Sequence, residues 1–147
     1  MNARIAAIRA LIVLSVLGAA ALPVAPSWAE ERSVEEWIAI LEDDDWEVRQ
    51  RAAEALGQMK DSYALEPLTA RLQDEVPEVR AQAAAALGAL GDQYSVEPLI
   101  AALGDSVPSV RRQAATALAK ITGQDFGEDP GSWLEWWEEN QDLGGGY

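Results

Sequence analysis

The side chains in this sequence equipped for chemistry are carboxylates. The chain has 147 residues, with 25 Asp and Glu, 11 Lys and Arg, and neither His nor Cys. Without His or Cys, Ser-His-Asp and Cys-His catalysis are excluded. So are the usual zinc, haem and iron–sulfur ligand sets, and disulfides. The densest acidic run is Glu42, Asp43, Asp44, Asp45 and Glu47. Such a run attracts calcium, but this one lacks the spaced oxygen ligands and turn glycine of a calcium loop. Two carboxylates working as acid and base need a cleft between elements, and a short chain stacked from helices offers a shallow groove. The expectation is therefore no catalytic residue, no metal and no cofactor. The net charge of −14 disfavours nucleic acid, whose phosphates need a basic surface.

A second pattern joins acids to bases. Asp43, Asp74 and Asp105 each stand six residues before Arg49, Arg80 and Arg111. They could be a row of ligand contacts. They could equally be helix caps, with arginine forks bridging neighbouring caps. Recurrence at one fixed period favours the structural ladder over the ligand row.

That period is 31 residues, and it organises the chain. Val48, Val79 and Val110 share it, as do Leu56, Leu87 and Leu118. Residues 43–73 and 74–104 align without a gap and agree at 16 of 31 positions. The third unit, 105–122, agrees with the second at 10 of its first 17 positions and then diverges. Each unit reads as short helices. In the second, Pro77 suits a first helical turn, and Val79, Ala83, Ala86, Leu87 and Leu90 recur at helical spacing before Gly91. Val96, Leu99, Ile100 and Leu103 then form another apolar stripe. Alanine pairs at 52/53, 83/84 and 114/115 allow close helix approach. Tyr63 and Tyr94, also 31 apart, are expected to pack within the inter-helix turns.

The ends differ from the middle. Arg4 and Arg9, the apolar run 10–22, Pro23, Pro26 and Ser27-Trp28-Ala29 compose a secretory leader cut after Ala29. The apolar run is short for a membrane span, although an uncleaved anchor is the alternative. Residues 30–147 then carry 25 acids against 9 bases. Ser33 and Glu36 have capping-box spacing, and Asp43, Asp44 or Asp45 can cap the helix that follows. Asp129 and Pro130 open a closing helix, the 123–147 cap, in which Trp133, Trp136 and Trp137 share one face. The third unit lacks the helix-closing glycine expected at 119. Seven helices are expected: a leading helix, those of the three units, and the tryptophan-rich cap.

The segments DDDWEVRQRAAEALG, DEVPEVRAQAAAALG and DSVPSVRRQAATALA, with EPLTARL and EPLIAAL, resemble HEAT repeats, more narrowly the short HEAT-like repeats named after phycobilisome lyases. The resemblance spans residues 33–121. It implies an all-α, right-handed solenoid that binds proteins, and no lyase active site carries over. In such stacks the second helix of each hairpin lines the binding side. Positions expected to face out there are Glu47, Gln50, Arg51, Glu54, Glu78, Ala81, Gln82, Ala85, Ser109, Arg112, Gln113, Thr116 and Lys120, running from acidic to basic. An ordinary solvated face is the alternative. Trp133, Trp136 and Trp137 are expected to close the core, and Trp46, in the place of Pro77 and Pro108, to be exposed. The reading is a monomeric, exported bacterial scaffold, periplasmic or secreted, that binds another protein. The alternative is an accessory or chaperone-like subunit of an exported enzyme.

Overall fold

The computed structural model of the protein describes residues 32–141. The leader read at 1–29 lies outside them. Within them the chain forms α1 (Val34–Ile40), α2 (Trp46–Met59), α3 (Leu65–Arg71), α4 (Pro77–Leu90), α5 (Val96–Ala102), α6 (Pro108–Thr122) and α7 (Pro130–Asn140). Two 3-10 turns, Ser62–Ala64 and Gln93–Ser95, precede α3 and α5. No strand occurs among the described residues. The architecture is an all-α solenoid.

Local chemistry sets the helix ends. Ser33 accepts the Glu36 N–H while the Glu36 carboxylate accepts the Ser33 N–H, a complete capping box on α1. Asp45 caps α2, and Asp129 caps α7 through the N–H groups of Gly131 and Ser132. Pro77, Pro108 and Pro130 occupy first turns, where their missing N–H costs nothing. The long helices stop at left-handed residues: Lys60 (φ 54°), Gly91 (φ 72°) and Gly123 (φ 74°).

Packing then sorts the helices into two layers. The long helices α2, α4 and α6 lie side by side, α2 on α4 and α4 on α6. The seven-residue helices α1, α3 and α5 pack on α2, α4 and α6 respectively, and α7 packs on α5. Helices of seven residues have no stability alone, so this burial is what forms them. One apolar core runs through the stack. Leu56, Leu87 and Leu118 are fully buried in it, as are Leu68, Leu99 and Trp133.

Two expectations need correction. Gly57 and Gly88, aligned with position 119, do not close helices; they lie inside α2 and α4. A Cβ on Gly57 would stand 2.9 Å from the Cα and Cβ of Ala86, and one on Gly88 2.8 Å from the Cα of Ala117. These glycines are where one long helix touches the next. The third unit needs none at Ala119, because no further long helix follows among the described residues, and α6 closes at Gly123 instead. Gly57→Ala is therefore expected to lower stability by about 1–3 kcal/mol through forced separation of α2 and α4. The better helix propensity of alanine offsets under about 1 kcal/mol of that. Thermal melting followed by circular dichroism measures the balance.

The second correction concerns Tyr63 and Tyr94, which are exposed (77% and 85%) rather than packed. Each sits in a 3-10 turn whose preceding aspartate, Asp61 or Asp92, accepts its N–H at 2.9 Å. That geometry turns the next residue inward, and Ala64 and Ser95 take the buried place.

Candidate functional site

Two surfaces can be built from these elements: the charged ladder along the turns and the outward faces of the long helices. The ladder begins at Arg49 on α2. Its Nε and one terminal nitrogen donate to the two carboxylate oxygens of Asp74, both at 2.9 Å. The other terminal nitrogen donates to the backbone carbonyls of Asp43 and Asp44 at 2.8 and 3.2 Å. Arg80 repeats the arrangement, forking Asp105 at 2.8 and 3.1 Å and reaching the Asp74 carbonyl at 2.9 Å. Each guanidinium thus ties its own turn to the next one. Asp74 and Asp105 also accept the N–H groups of Val76 and Val107, and Asp43 accepts that of Asp45. Val76 and Val107 are themselves the N-cap residues of α4 and α6, without side-chain caps.

The third rung changes partner. Arg111 reaches the Asp105 carbonyl at 2.8 Å, but its charge meets Glu128, at 3.3 Å, from the loop before α7. Glu128 lies outside the 31-residue period, so periodicity does not single it out. Sequence reasoning also passed over Arg71 at the end of α3. It donates to the Leu41 carbonyl at 3.2 Å and to Glu42 at 3.3 Å, and it pairs with Asp74 at 3.5 Å. The signal was there: the aligned position in the second unit is the uncharged Ala102.

Exposure rises along the ladder. The side chains of Arg49 and Asp74 are 7% and 2% exposed, those of Arg80 and Asp105 15% and 12%, and those of Arg111 and Glu128 31% and 41%. Burial alone would raise the Asp74 carboxyl pKa; the Arg49 fork, the Val76 N–H and the charges of Arg49 and Arg71 outweigh it and hold it below its ordinary value. Asp105 is lowered in the same way, with burial opposed by Arg80, the Val107 N–H and Arg111.

A carboxyl whose pKa is depressed by folding stabilises the fold above its unfolded pKa and loses that contribution as pH falls through its folded value. Melting temperature is accordingly expected to hold steady from pH 7 to about pH 5 and to fall below about pH 4, near the ordinary Asp value and under it. A pH series of thermal melts tests this, and an Asp105→Asn variant should show a shallower acid decline than the native chain.

The outward faces are ordered by the repeat. On α2, Arg51 is exposed and Glu47, Gln50 and Glu54 are half-buried, with Arg51 bonded to Glu54 at 3.1 Å. On α4, Glu78 is exposed, while Ala81, Gln82 and Ala85 are half-buried. On α6, Ser109, Arg112, Gln113, Thr116 and Lys120 are exposed. Because α2, α4 and α6 are neighbours, these residues form adjoining rows of one layer. Glu47 matches Glu78 and Gln82 matches Gln113, but no aligned set is the same in all three units, whereas the buried valines and leucines at the same period are.

The tryptophans divide. Trp133 is fully buried, its indole N–H donating to the Gly127 carbonyl at 2.8 Å and its ring meeting Phe126 edge-on at 4.9 Å. Trp136 and Trp137 are half-buried, and Trp137 donates to Glu97 on α5 at 3.3 Å. Trp46 is exposed. Among the described residues, no group of three or more acidic side chains could hold a metal ion. No helix among them is long and apolar enough to cross a membrane.

A family model for HEAT repeats matches residues 2–78 and 65–130. None of the curated proteins compared with the chain matches it. Repeated helical hairpins, a core shared between neighbours and a face that varies from unit to unit are the marks of an interaction scaffold, and by the reach of that match the chain belongs to the HEAT-repeat family.

Proposed function

We propose that the protein is an exported, monomeric scaffold that binds another protein through the outward face of α2, α4 and α6 and catalyses no reaction. The observation that carries the reading is the contrast along one period: the core valines and leucines of the long helices, Val48, Val79 and Val110 with Leu56, Leu87 and Leu118, are the same in every unit, while no outward set drawn from Glu47, Gln50, Arg51 and Glu54, from Glu78 and Gln82, and from Arg112, Gln113, Thr116 and Lys120 is the same in all three. A rigid stack presents such rows as a preformed surface, so recognition needs little rearrangement. The leader composition at residues 1–29 supports export. The acid-rich ends, with Lys and Arg confined mostly to the middle, favour a partner that meets the mixed-charge centre.

Affinity capture tests it, with the chain from Glu30 onward as one bait and the same chain carrying Arg51→Ala, Arg112→Ala and Lys120→Ala as the other. The exported fraction of the source cells supplies the proteins. A partner kept by the first bait and lost from the second, with both melting alike, is the expected result. A partner held equally by both would remove the long-helix face from the proposal.

A further inference from the structure

A second surface lies in the other layer. Between α5 and α7 the chain leaves a groove of about 570 Å³, within the range of pockets that seat large apolar groups. Its walls are apolar: Ile100 and Ala101 on α5, Pro130, Leu134 and Trp137 on α7. Leu134 and Ala101 are exposed there, and Leu134 is one of few large apolar side chains left in solvent among the described residues. The lips are acidic, Glu97 on one helix and Glu138 on the other. Glu135 and Glu139 extend that charge along α7, and residues 123–147 contain no Lys or Arg. An apolar slot between two acidic lips complements one kind of ligand: an apolar stripe flanked by cations.

We propose that this groove docks a basic amphipathic helix of a partner protein, with apolar side chains seated between Leu134 and Ala101 and Lys or Arg paired with Glu97 and Glu138. Helix-in-groove recognition takes its affinity from the apolar anchors and its orientation from the rim. Glu97 is held in place by the Trp137 indole N–H, so one lip is preset. The groove belongs to the short-helix layer, and it goes beyond the long-helix face proposed above; either surface can fail without the other.

The test uses the full chain and a defined probe: a helical leucine–lysine peptide of about four turns, labelled for fluorescence anisotropy. Control peptides replace leucine by serine, or lysine by glutamate. Variants Leu134→Ser and Ala101→Gln alter exposed positions without changing charge, so the fold and the overall negative field stay as they are. Each variant is expected to weaken the leucine–lysine peptide by about tenfold or more. The serine control should bind more weakly by a similar factor, and the glutamate control not at all. Glu138→Lys should bind the cationic peptide more weakly than the native chain does, by a margin that widens as salt is lowered, because it replaces attraction by repulsion at the rim.

Equal binding by native chain, Leu134→Ser and Ala101→Gln would overturn the proposal and assign the affinity to diffuse charge. Binding of the glutamate peptide would overturn the role of the rim. Peptide binding that emerges only when residues 142–147 are deleted would assign the groove to the chain's own terminus. Concentration-dependent dimerisation abolished by Leu134→Ser, without peptide binding, would assign it to a second copy.

Discussion

Replacing Asp74 by alanine lowers the stability of the fold by about 3–5 kcal/mol, the cost of leaving a buried cation without its counter-charge. The carboxylate answers two nitrogens of Arg49 and the N–H of Val76, and Arg71 adds a fourth, longer contact. Removing it leaves the buried Arg49 guanidinium with the Asp43 and Asp44 carbonyls and one solvent-exposed carboxylate, Glu75, at 3.8 Å. The same change further along the ladder costs less. Asp105→Ala exposes a fork that already sees more solvent, and Glu128→Ala breaks a surface pair worth no more than about 1 kcal/mol. Denaturant melts of the three variants should therefore rank Asp74, Asp105, Glu128 in falling effect. An equal loss at Asp74 and Asp105 would mean that these two rungs act through the N–H groups they accept alone, with burial irrelevant.

Leu87→Ala is the second large effect, about 2–5 kcal/mol. Leu87 is fully buried in the middle unit, on the helix that touches both α2 and α6 and that receives α3. Neighbours on every side prevent collapse around the lost side chain, so the cavity term persists. Urea unfolding should show a lowered midpoint at an unchanged slope. Leu118→Ala lies on α6, which has a long-helix neighbour on one side among the described residues, and it is expected to fall lower in the same range.

These two residues also mark what sequence could give. Leu87 and Val79 were legible because a core position recurs at the period of the stack, and the period itself is visible in the alignment of units. Ser33, Asp129 and Pro77 were legible because capping is local chemistry, decided within four residues. Gly57 and Gly88 were not, since glycine suits both a helix end and a close helix contact, and only the position of Ala86 and Ala117 separates the two. The tyrosines failed for a related reason: recurrence says that Tyr63 and Tyr94 occupy equivalent places, not which way a 3-10 turn points them. Glu128 and the α5–α7 groove depend on where α7 docks, which no repeat encodes.

The contacts of Gly57 and Gly88 carry one more implication, for how such a molecule changes length. A duplicate of residues 74–104 inserted after Gly104 would find every neighbour ready. Gly88 would receive the new copy's alanine, and the new glycine would receive Ala117. Arg80 would fork the new aspartate, and the new arginine would take Asp105. An added unit after α6 would instead meet Ala119, whose methyl occupies the space a following helix needs, and Arg111 already committed to Glu128. The array can grow from its middle and is sealed at its end.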